Sequence, residues 1–177
     1  MKTYVLAPQI AAIDLASFMR EALFEAEQAG LAGELPIGAV VVIDGQVVSR
    51  GRAQHKSKQS QLMHAELNAL MSGGTALWEN YHNAILLTTL EPCPMCLGAV
   101  VMADVPNIIF AAHDAVVHSQ HTVTHNPYVR RHIHSYYGGV LEAESRAMIA
   151  RFNPTMLEYI TTQRLDHETR ALQPRST

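Results

Sequence analysis

Both cysteines of this 177-residue chain lie in one short segment, Pro92-Cys93-Pro94-Met95-Cys96. The segment follows the apolar run "AILLTTL", which has the length and composition of a strand covered on both faces. Pro94 suits the first turn of a helix, and "MCLGAVVMA" continues that helix until Asp104 and Pro106 end it. The sequence therefore predicts a buried strand, a turn that carries the thiols, and a helix that begins at that turn.

The remaining segments alternate between helix and strand patterns. Residues 9–29 predict one long amphipathic helix, and Asp44-Gly45 joins two β-branched runs in a predicted hairpin. The other predicted elements are a helix in "MHAELNALMSGG", a strand in "NIIFAA", a long polar loop from Ala111 to Tyr128, a strand in "HIHSYYGGV", and helices in "LEAESRAMIARFN" and "TMLEYITTQRL". Strands separated by helices indicate an α/β layer structure in which at least part of the sheet is parallel.

Length and composition predict one domain over residues 1–177, with residues 166–177 as a flexible charged tail. The chain has no run of about 18 uncharged apolar residues that could cross a membrane. Asp14 interrupts the apolar N-terminal stretch, which therefore differs from a signal peptide, and we expect a cytoplasmic protein. The net charge of -3 argues against a general nucleic-acid-binding surface but allows a local basic patch.

The two cysteines have the spacing of a metal site. Cys93 and Cys96 bracket the start of a helix, so both sulfurs can point at one position, and His64 is the candidate third ligand. Two thiolates and one imidazole leave the fourth tetrahedral position of zinc open, which is typical of catalytic zinc. A bare C-x-x-C is also compatible with a redox pair or an inert buried pair, and a structural Cys2His2 site would need a later histidine.

Glu66 is the candidate catalytic residue. Zinc lowers the pKa of a bound water to about 7, and a carboxylate beside it can carry the proton to a leaving group. Residues two apart on a regular helix point to nearly opposite sides, so His64 and Glu66 can share a site only if His64 lies in the irregular first turn. The alternative is a first-turn glutamate that complements the helix dipole. H-x-E followed by P-C-x-x-C is the signature of zinc-dependent nucleobase deaminases.

With "LPIGAVVV", "HAELNAL", "LEPCPMCLGAVVMA" and "IIFAAHDA" in this order, the chain resembles the cytidine deaminase-like superfamily, in the branch of tRNA adenosine deaminases, guanine deaminases and fungal-type cytosine deaminases. The resemblance implies a three-layer α/β/α fold with a mixed five-stranded sheet, an antiparallel hairpin and parallel last strands, and a homodimer. It implies one zinc ion per chain on His64, Cys93 and Cys96, and Glu66 as proton carrier. Main chain around Ala65 and Glu91 is expected to hold the heterocycle.

One departure from the family pattern affects the substrate pocket. Relatives usually place an asparagine about eleven residues before the histidine, whereas this chain has Ala53 there and Gln54 beside it. The residues before the histidine also differ, because the chain reads "SQLMHAE" where the tRNA enzymes commonly read like "DPTAHAE". Both differences predict an altered pocket.

The segment between His113 and His134 is rich in histidine. We consider three roles for it: a solvated connection between strands, a lid over the pocket, and a second metal site on His121 and His125, which could chelate if the segment were helical. Asp114 is a candidate contact to the amino group of the substrate, or alternatively a residue that caps a turn.

These features predict a zinc-dependent hydrolytic deaminase of a small amino-substituted nucleobase, nucleoside or related heterocycle of guanine, cytosine or aminotriazine type. The alternative is a tRNA adenosine deaminase, for which Arg130, Arg131 and Arg170 are candidate contacts to tRNA. A third hypothesis is a non-catalytic zinc-binding partner subunit. The intact Glu66 argues against it, because such a protein has no chemical need for a proton carrier.

Overall fold

The computed structural model describes residues 6–163. The predicted tail at residues 166–177 and Arg170 lie outside this range. The strands are β1 (Gly38–Ile43), β2 (Gln46–Arg52), β3 (Ile85–Leu90), β4 (Asn107–Ala112) and β5 (Ser135–Gly138). The helices are α1 (Pro8–Ala11), α2 (Leu15–Leu31), α3 (Ala65–Ser72), α4 (Gly74–Asn80), α5 (Pro94–Met102), α6 (Ser119–His125), α7 (Pro127–His132), α8 (Glu142–Phe152) and α9 (Pro154–Thr162). Within the described range, none of the helices has the length and apolar character needed to span a membrane.

The strands form one mixed sheet in the order β2-β1-β3-β4-β5. β1 runs antiparallel to both β2 and β3, whereas β3, β4 and β5 run parallel to one another. Asp44 and Gly45 make the predicted two-residue hairpin turn, and their φ angles of 49° and 75° are those of a type I′ turn. The predicted mixed five-stranded sheet is confirmed.

Helices cover both faces of the sheet, as predicted. Every residue of β1, β3 and β4 is buried. Because side chains alternate across a strand, Val40 and Val42 pack with Met19 of α2, while Val41 belongs to the second core, which α3 and α5 cover with Ala69 and Val100. The β-branched runs that the sequence shows are thus the middle layer of a three-layer α/β/α structure.

Helix α3 lies unusually close to the sheet at Gly51 of β2. A Cβ atom at this position would overlap with the carbonyl oxygen of Ala65 and the backbone nitrogen of Ala69. Next to it, the buried Ser49 hydroxyl donates a hydrogen bond to the carbonyl of Ala69 at 2.7 Å. These contacts fix the N-terminal turn of α3 against β2, and this turn carries the "HAE" motif.

Two predictions near the N-terminal half are wrong in detail. The helix predicted over residues 9–29 is split into α1 and α2, because Asp14 caps α2 by accepting a hydrogen bond from the N–H of Ser17. The sequence predicted no element after Gly73, but α4 follows it. Gly74 has a φ of +48°, so the chain bends there and starts a new helix.

The long loop predicted between Ala111 and Tyr128 is also wrong, since α6 lies within it and α7 begins in it. Helix α7 has ordinary start signals, because the Asn126 side chain accepts the N–H groups of Tyr128 and Val129 and Pro127 occupies the first turn. Helix α6 has little apolar periodicity, and Ser119 is its one buried residue. The last strand is shorter than "HIHSYYGGV" and spans Ser135–Gly138.

We predict that Gly51→Ala lowers the free energy of unfolding by ~1–3 kcal/mol, the usual cost of overpacking, because the added methyl group overlaps with the α3 backbone. Gly98→Ala is the matched control. It lies on the exposed side of α5 with no atom within 4 Å of the new methyl group, so it should raise stability by ~0.5–1 kcal/mol. Urea unfolding of the zinc-loaded proteins measures both. Equal stabilities would contradict close packing of α3 on β2.

Candidate active site

His64 and Glu66 share one site because His64 lies outside the regular turns of α3. His64 is the N-cap residue, with extended backbone angles of φ -74° and ψ 154°. Glu66 lies in the first turn that follows and is buried. The geometric requirement deduced from the two-residue spacing is therefore met.

The two cysteines occupy the equivalent position on α5. Cys93 is the N-cap residue with φ -66° and ψ 166°, Pro94 begins the helix, and Cys96 is buried in the first turn. The Sγ atom of Cys93 lies 3.8 Å from Nδ1 of His64. The ligand atoms of His64, Cys93 and Cys96 all lie within 4.8 Å of one another. The structure thus brings together the three residues that the sequence nominates as metal ligands.

Interactions among His64, Cys93 and Cys96 shift the pKa values of all three side chains. Hydrogen bonding from the Cys96 thiol, and more weakly from His64, lowers the pKa of Cys93 to about 4 against the effect of burial. The neighbouring Cys93 sulfur raises the pKa of His64 and, together with burial, raises that of Cys96. A divalent cation favours the thiolate form of both cysteines. One imidazole and two sulfurs are the donors that zinc prefers, so these residues fit a zinc ion.

Burial controls the carboxyl group of Glu66. It is 4% exposed, and burial raises its pKa above the usual value for a glutamate. The Cys96 side chain hydrogen-bonds to it. A carboxyl group that holds a proton readily beside a metal site is suited to pass that proton between water and a substrate.

The loop that precedes His64 is anchored by Glu34, which the sequence did not single out. Its carboxylate accepts the N–H groups of Lys56 at 2.9 Å and Ser57 at 2.7 Å. Burial alone would raise its pKa, but these hydrogen bonds lower it. The loop in turn places the ring of His55 edge-on to His64, with centroids 4.8 Å apart.

The ring of His64 also has a main-chain partner. It donates a hydrogen bond to the carbonyl of Gln61, in the same loop. A second hydrogen bond of this kind orients a metal-ligating histidine and fixes its tautomer. The loop before α3 therefore sets both the position and the rotation of the predicted ligand.

The altered position before the motif lies in the core. Ala53 is completely buried and its N–H donates to the carbonyl of Ile37 at 3.0 Å. Gln54 lines a separate polar cavity of about 270 Å³ together with Arg52 and Asn68. Ala53 thus contributes a buried methyl group at this position, and Gln54 lies in the wall of the cavity.

Glu91 organises the polypeptide around the cysteine turn. Its buried carboxylate accepts hydrogen bonds from the Tyr136 hydroxyl at 2.9 Å and from the N–H groups of Asp114 at 3.2 Å and Gln120 at 3.3 Å. Burial opposes ionisation, but these partners and His113 lower the pKa of Glu91. Its own N–H donates to a carbonyl of β4, so a main-chain contact to a heterocycle would use its carbonyl oxygen.

Asp114 caps a turn in this structure. Its Oδ1 accepts the N–H of Val116 at 2.8 Å, and burial raises the pKa of its carboxyl group. Ala65, the other predicted main-chain contact, is buried as the first residue of α3, directly after His64. Both residues lie next to groups of the site, and their contact to a substrate stays a prediction.

Ser119 is a residue that the sequence analysis missed. Its buried hydroxyl donates to the carbonyl of Pro92 at 2.7 Å, which ties the start of α6 to the residue before Cys93. A serine in a polar, histidine-rich stretch gives no pattern that predicts burial. The available signal was the position of the segment directly after β4, where a chain returns over the ends of parallel strands.

The histidines of α6 form a pair without a third ligand. The rings of His121 and His125 stack with centroids 4.1 Å apart, and Nδ1 of His125 hydrogen-bonds to the carbonyl of His121 at 3.0 Å. Within residues 6–163, one group of three or more His, Cys, Asp or Glu side chains is close enough to share a metal ion, and it consists of His64, Cys93 and Cys96. The segment is helical, as the second-metal hypothesis required, but its ligands are too few in the described part of the chain.

Comparison with known families agrees with this geometry. Residues 13–112 match the sequence model of the cytidine and deoxycytidylate deaminase zinc-binding region. The chain belongs to this family. It is therefore a zinc-dependent hydrolytic deaminase by family, and the matched residues include the three clustered side chains and Glu66.

Individual relatives indicate the branch. The tRNA-specific adenosine deaminase of Bacillus subtilis (strain 168) is 37% identical over 139 residues, which cover 76% of this chain and 86% of that protein. A structure from a study of A-to-I editing by tRNA:A34 deaminases is 32% identical, has a TM-score of 0.64, and aligns over 75% of this chain and 98% of the other. Guanine deaminase from Bacillus subtilis is also 32% identical, with a TM-score of 0.53 over 58% of this chain and 66% of that one.

We predict that the purified protein contains about one zinc ion per chain and that His64→Ala or Cys93→Ala reduces the zinc content to near zero, because catalytic sites have three protein ligands and the loss of one is severe. The double variant His121→Ala/His125→Ala is the control and should keep the zinc. Atomic emission spectroscopy of dialysed protein measures this. A second zinc ion that is lost with the two α6 histidines would contradict the single site.

Proposed function

We propose that this chain deaminates adenosine in tRNA. The observation that carries the proposal is the convergence of His64, Cys93, Cys96 and buried Glu66 in a chain that is 37% identical over 139 residues to a tRNA-specific adenosine deaminase. The sequence alone favours the deamination of a small heterocycle and makes this function the alternative. Two relatives that are more than 30% identical over about three quarters of the chain support the reverse order.

The proposed roles follow from the positions of the side chains. His64, Cys93 and Cys96 would hold a zinc ion, which would make a water acidic enough to react at neutral pH. Glu66 would take a proton from the attacking water and deliver it to the ring nitrogen of the purine, which prepares the ring for addition at the amino-bearing carbon. Glu66 would then take the proton of the newly added hydroxyl group and pass it to the departing amino group. Adenosine and water become inosine and ammonia, with one C–N bond broken and one C–O bond formed.

The buried carboxyl group of Glu66 suits both transfers. Burial raises its pKa above that of an exposed glutamate, which favours uptake of a proton from water. In this proposal the main chain at Ala65 and Glu91 hydrogen-bonds to the heterocycle and holds it in the site. Asp114, whose carboxylate caps a turn, is the proposed contact to the amino group of the substrate.

A second candidate function is the deamination of a free purine, pyrimidine or aminotriazine. The observation that favours it is Ala53, which places a buried methyl group where the family resemblance implies an amide. A pocket that lacks this amide loses a hydrogen-bond donor and acceptor for base or ribose. The guanine deaminase among the structural relatives is compatible with this function.

We expect the protein to be a cytoplasmic homodimer. Three large apolar side chains are strongly exposed on the α3–α5 side of the sheet: Met71 at 74%, Trp78 at 81% and Met102 at 73%. Exposed apolar groups on neighbouring helices are typical of a protein–protein interface. A second copy of this chain is the occupant that the family resemblance implies.

The function is tested with a panel of substrates. We expect inosine to form in an RNA stem-loop that carries adenosine in its loop, with slower or no ammonia release from adenosine, guanine, cytosine and aminotriazines. Glu66→Gln should keep the zinc and lose at least ~10²-fold in turnover, the usual scale for a removed proton carrier. Ammonia release and nucleoside analysis by mass spectrometry provide the readout.

The same panel separates the candidates. Rapid deamination of a free heterocycle without inosine in RNA would replace the tRNA proposal by the second candidate. A Glu66→Gln variant with nearly wild-type turnover on its substrate would remove Glu66 from the mechanism. Absence of activity on every substrate in a zinc-loaded protein would favour the non-catalytic partner subunit.

For the dimer, we predict that Trp78→Glu raises the dissociation constant by at least ~30-fold, because the loss of a buried aromatic anchor costs ~2 kcal/mol or more. Phe24→Glu is the control, since Phe24 is 54% exposed on α2, on the opposite side of the sheet. Sedimentation equilibrium measures the association. A monomeric wild-type protein, or equal effects of the two changes, would contradict this interface.

A further inference from the structure

Helices α6 and α7 and the adjoining end of β5 enclose a groove. Two cavities of about 380 Å³ and 500 Å³ share Thr124 and Arg130 in their walls and therefore adjoin each other. The first cavity continues to Gln120, His134 and Tyr136, and the second to His125, Pro127 and Arg131. We call this surface the α6–α7 groove. Its walls contain many hydrogen-bond donors and no carboxylate.

The groove is basic in an acidic protein. Residues 115–141 contain no aspartate or glutamate, although the whole chain has a net charge of -3. Arg130 and Arg131 are exposed, and within residues 6–163 neither forms an ion pair with a carboxylate. The arginines that pair with a glutamate elsewhere are Arg50, Arg52, Arg146 and Arg151. The two guanidinium groups of the groove are thus available to an external anion.

The inner end of the groove is attached to the residues that precede the cysteine turn. Two of its wall residues bind the Glu91 carboxylate, Gln120 through its N–H at 3.3 Å and Tyr136 through its hydroxyl at 2.9 Å. Ser119, the residue before Gln120, donates to the carbonyl of Pro92. Pro92 is the neighbour of Cys93. The groove therefore begins beside the candidate active site and leads away from it along α6 and α7.

We propose that the α6–α7 groove binds the phosphate backbone of the RNA strand that flanks the target nucleotide. This inference rests on the proposed function. A base that enters the site as part of a strand brings phosphates on both sides, and these need cations and donors close to the catalytic centre. The planar guanidinium groups of Arg130 and Arg131 match phosphate oxygens, and Thr124 and Gln120 are donors for phosphate or 2′-hydroxyl groups.

The groove also discriminates between the two candidate functions. A free nucleobase has no phosphate. Two arginines without a carboxylate partner among the described residues would therefore contribute nothing to its binding. Such a pair has a use when the substrate is a polyanion, because each neutralised phosphate adds to affinity and to its salt dependence. The absence of carboxylates from residues 115–141 reduces the local repulsion between this segment and RNA.

The test compares variants with matched charge. Arg130→Gln/Arg131→Gln and the control Arg20→Glu each change the net charge by two, but Arg20 is an exposed residue of α2, away from the groove. We expect the groove variant to bind the stem-loop RNA at least ~10-fold more weakly at low salt, and the slope of log affinity against log salt to fall by ~1.4, since single strands lose ~0.7 per phosphate contact. Arg130→Lys/Arg131→Lys should restore most of the salt dependence.

Fluorescence anisotropy at several salt concentrations measures binding, and zinc content verifies that each variant is intact. Equal affinity and slope for the groove variant and Arg20→Glu would overturn the groove proposal, even if the wild-type protein makes inosine. Selective loss of RNA binding in the groove variant, with no inosine formed by the wild-type protein on any RNA, would support the groove and reject the tRNA adenosine deaminase function. The two proposals can thus fail separately.

Discussion

The site depends on the convergence of two helix N-termini at one point. His64 and Cys93 are both N-cap residues with extended backbone, so the side chain of each leaves its helix at the end where the unpaired N–H groups lie. The positive end of the helix dipole stabilises a thiolate at that position. Because α3 packs against β2 at Gly51 and α5 follows directly after β3, the sheet determines how closely the ligands approach. The positions of α3 and α5 on the sheet therefore determine the geometry of the predicted metal site.

A second arrangement surrounds the Glu91 carboxylate. It is buried between the cysteine turn and the return of the chain after β4, and its hydrogen bonds reach α6 and β5. A charged group without partners would be costly at such a position, but its several hydrogen bonds offset the loss of water. The carboxylate holds the start of the histidine-rich segment against the catalytic turn. This connection places the start of α6 beside the turn that carries two of the predicted zinc ligands.

The sequence predicts most of this architecture because its strongest patterns reflect burial. The three central strands are continuous apolar runs, and the Asp44-Gly45 turn and the Pro94 helix start have unambiguous local chemistry. The three clustered ligands and the N-cap position of His64 could also be deduced, since two-residue spacing allows few geometries. Helix α6 could not be predicted, because Val123 is its one apolar residue against the core and a polar contact, that of Ser119, holds its start. Glu34 was missed for the same reason, since a buried carboxylate that binds backbone N–H groups looks like any surface glutamate in sequence.

The overall charge of -3 does not argue against the proposed RNA substrate. Under physiological conditions salt screens the interaction between exposed charges beyond about 8 Å, so the net charge has little effect at longer range. An RNA strand in contact with the surface responds to the charged groups directly beneath it. Within residues 6–163, four of the five arginines outside the groove pair with a glutamate, as Arg52 does with Glu25, so they add little to the field at a distance. Arg130 and Arg131 have no such partner among the described residues. The distribution of charge, and not its sum, therefore makes the proposed nucleic-acid substrate compatible with an acidic chain.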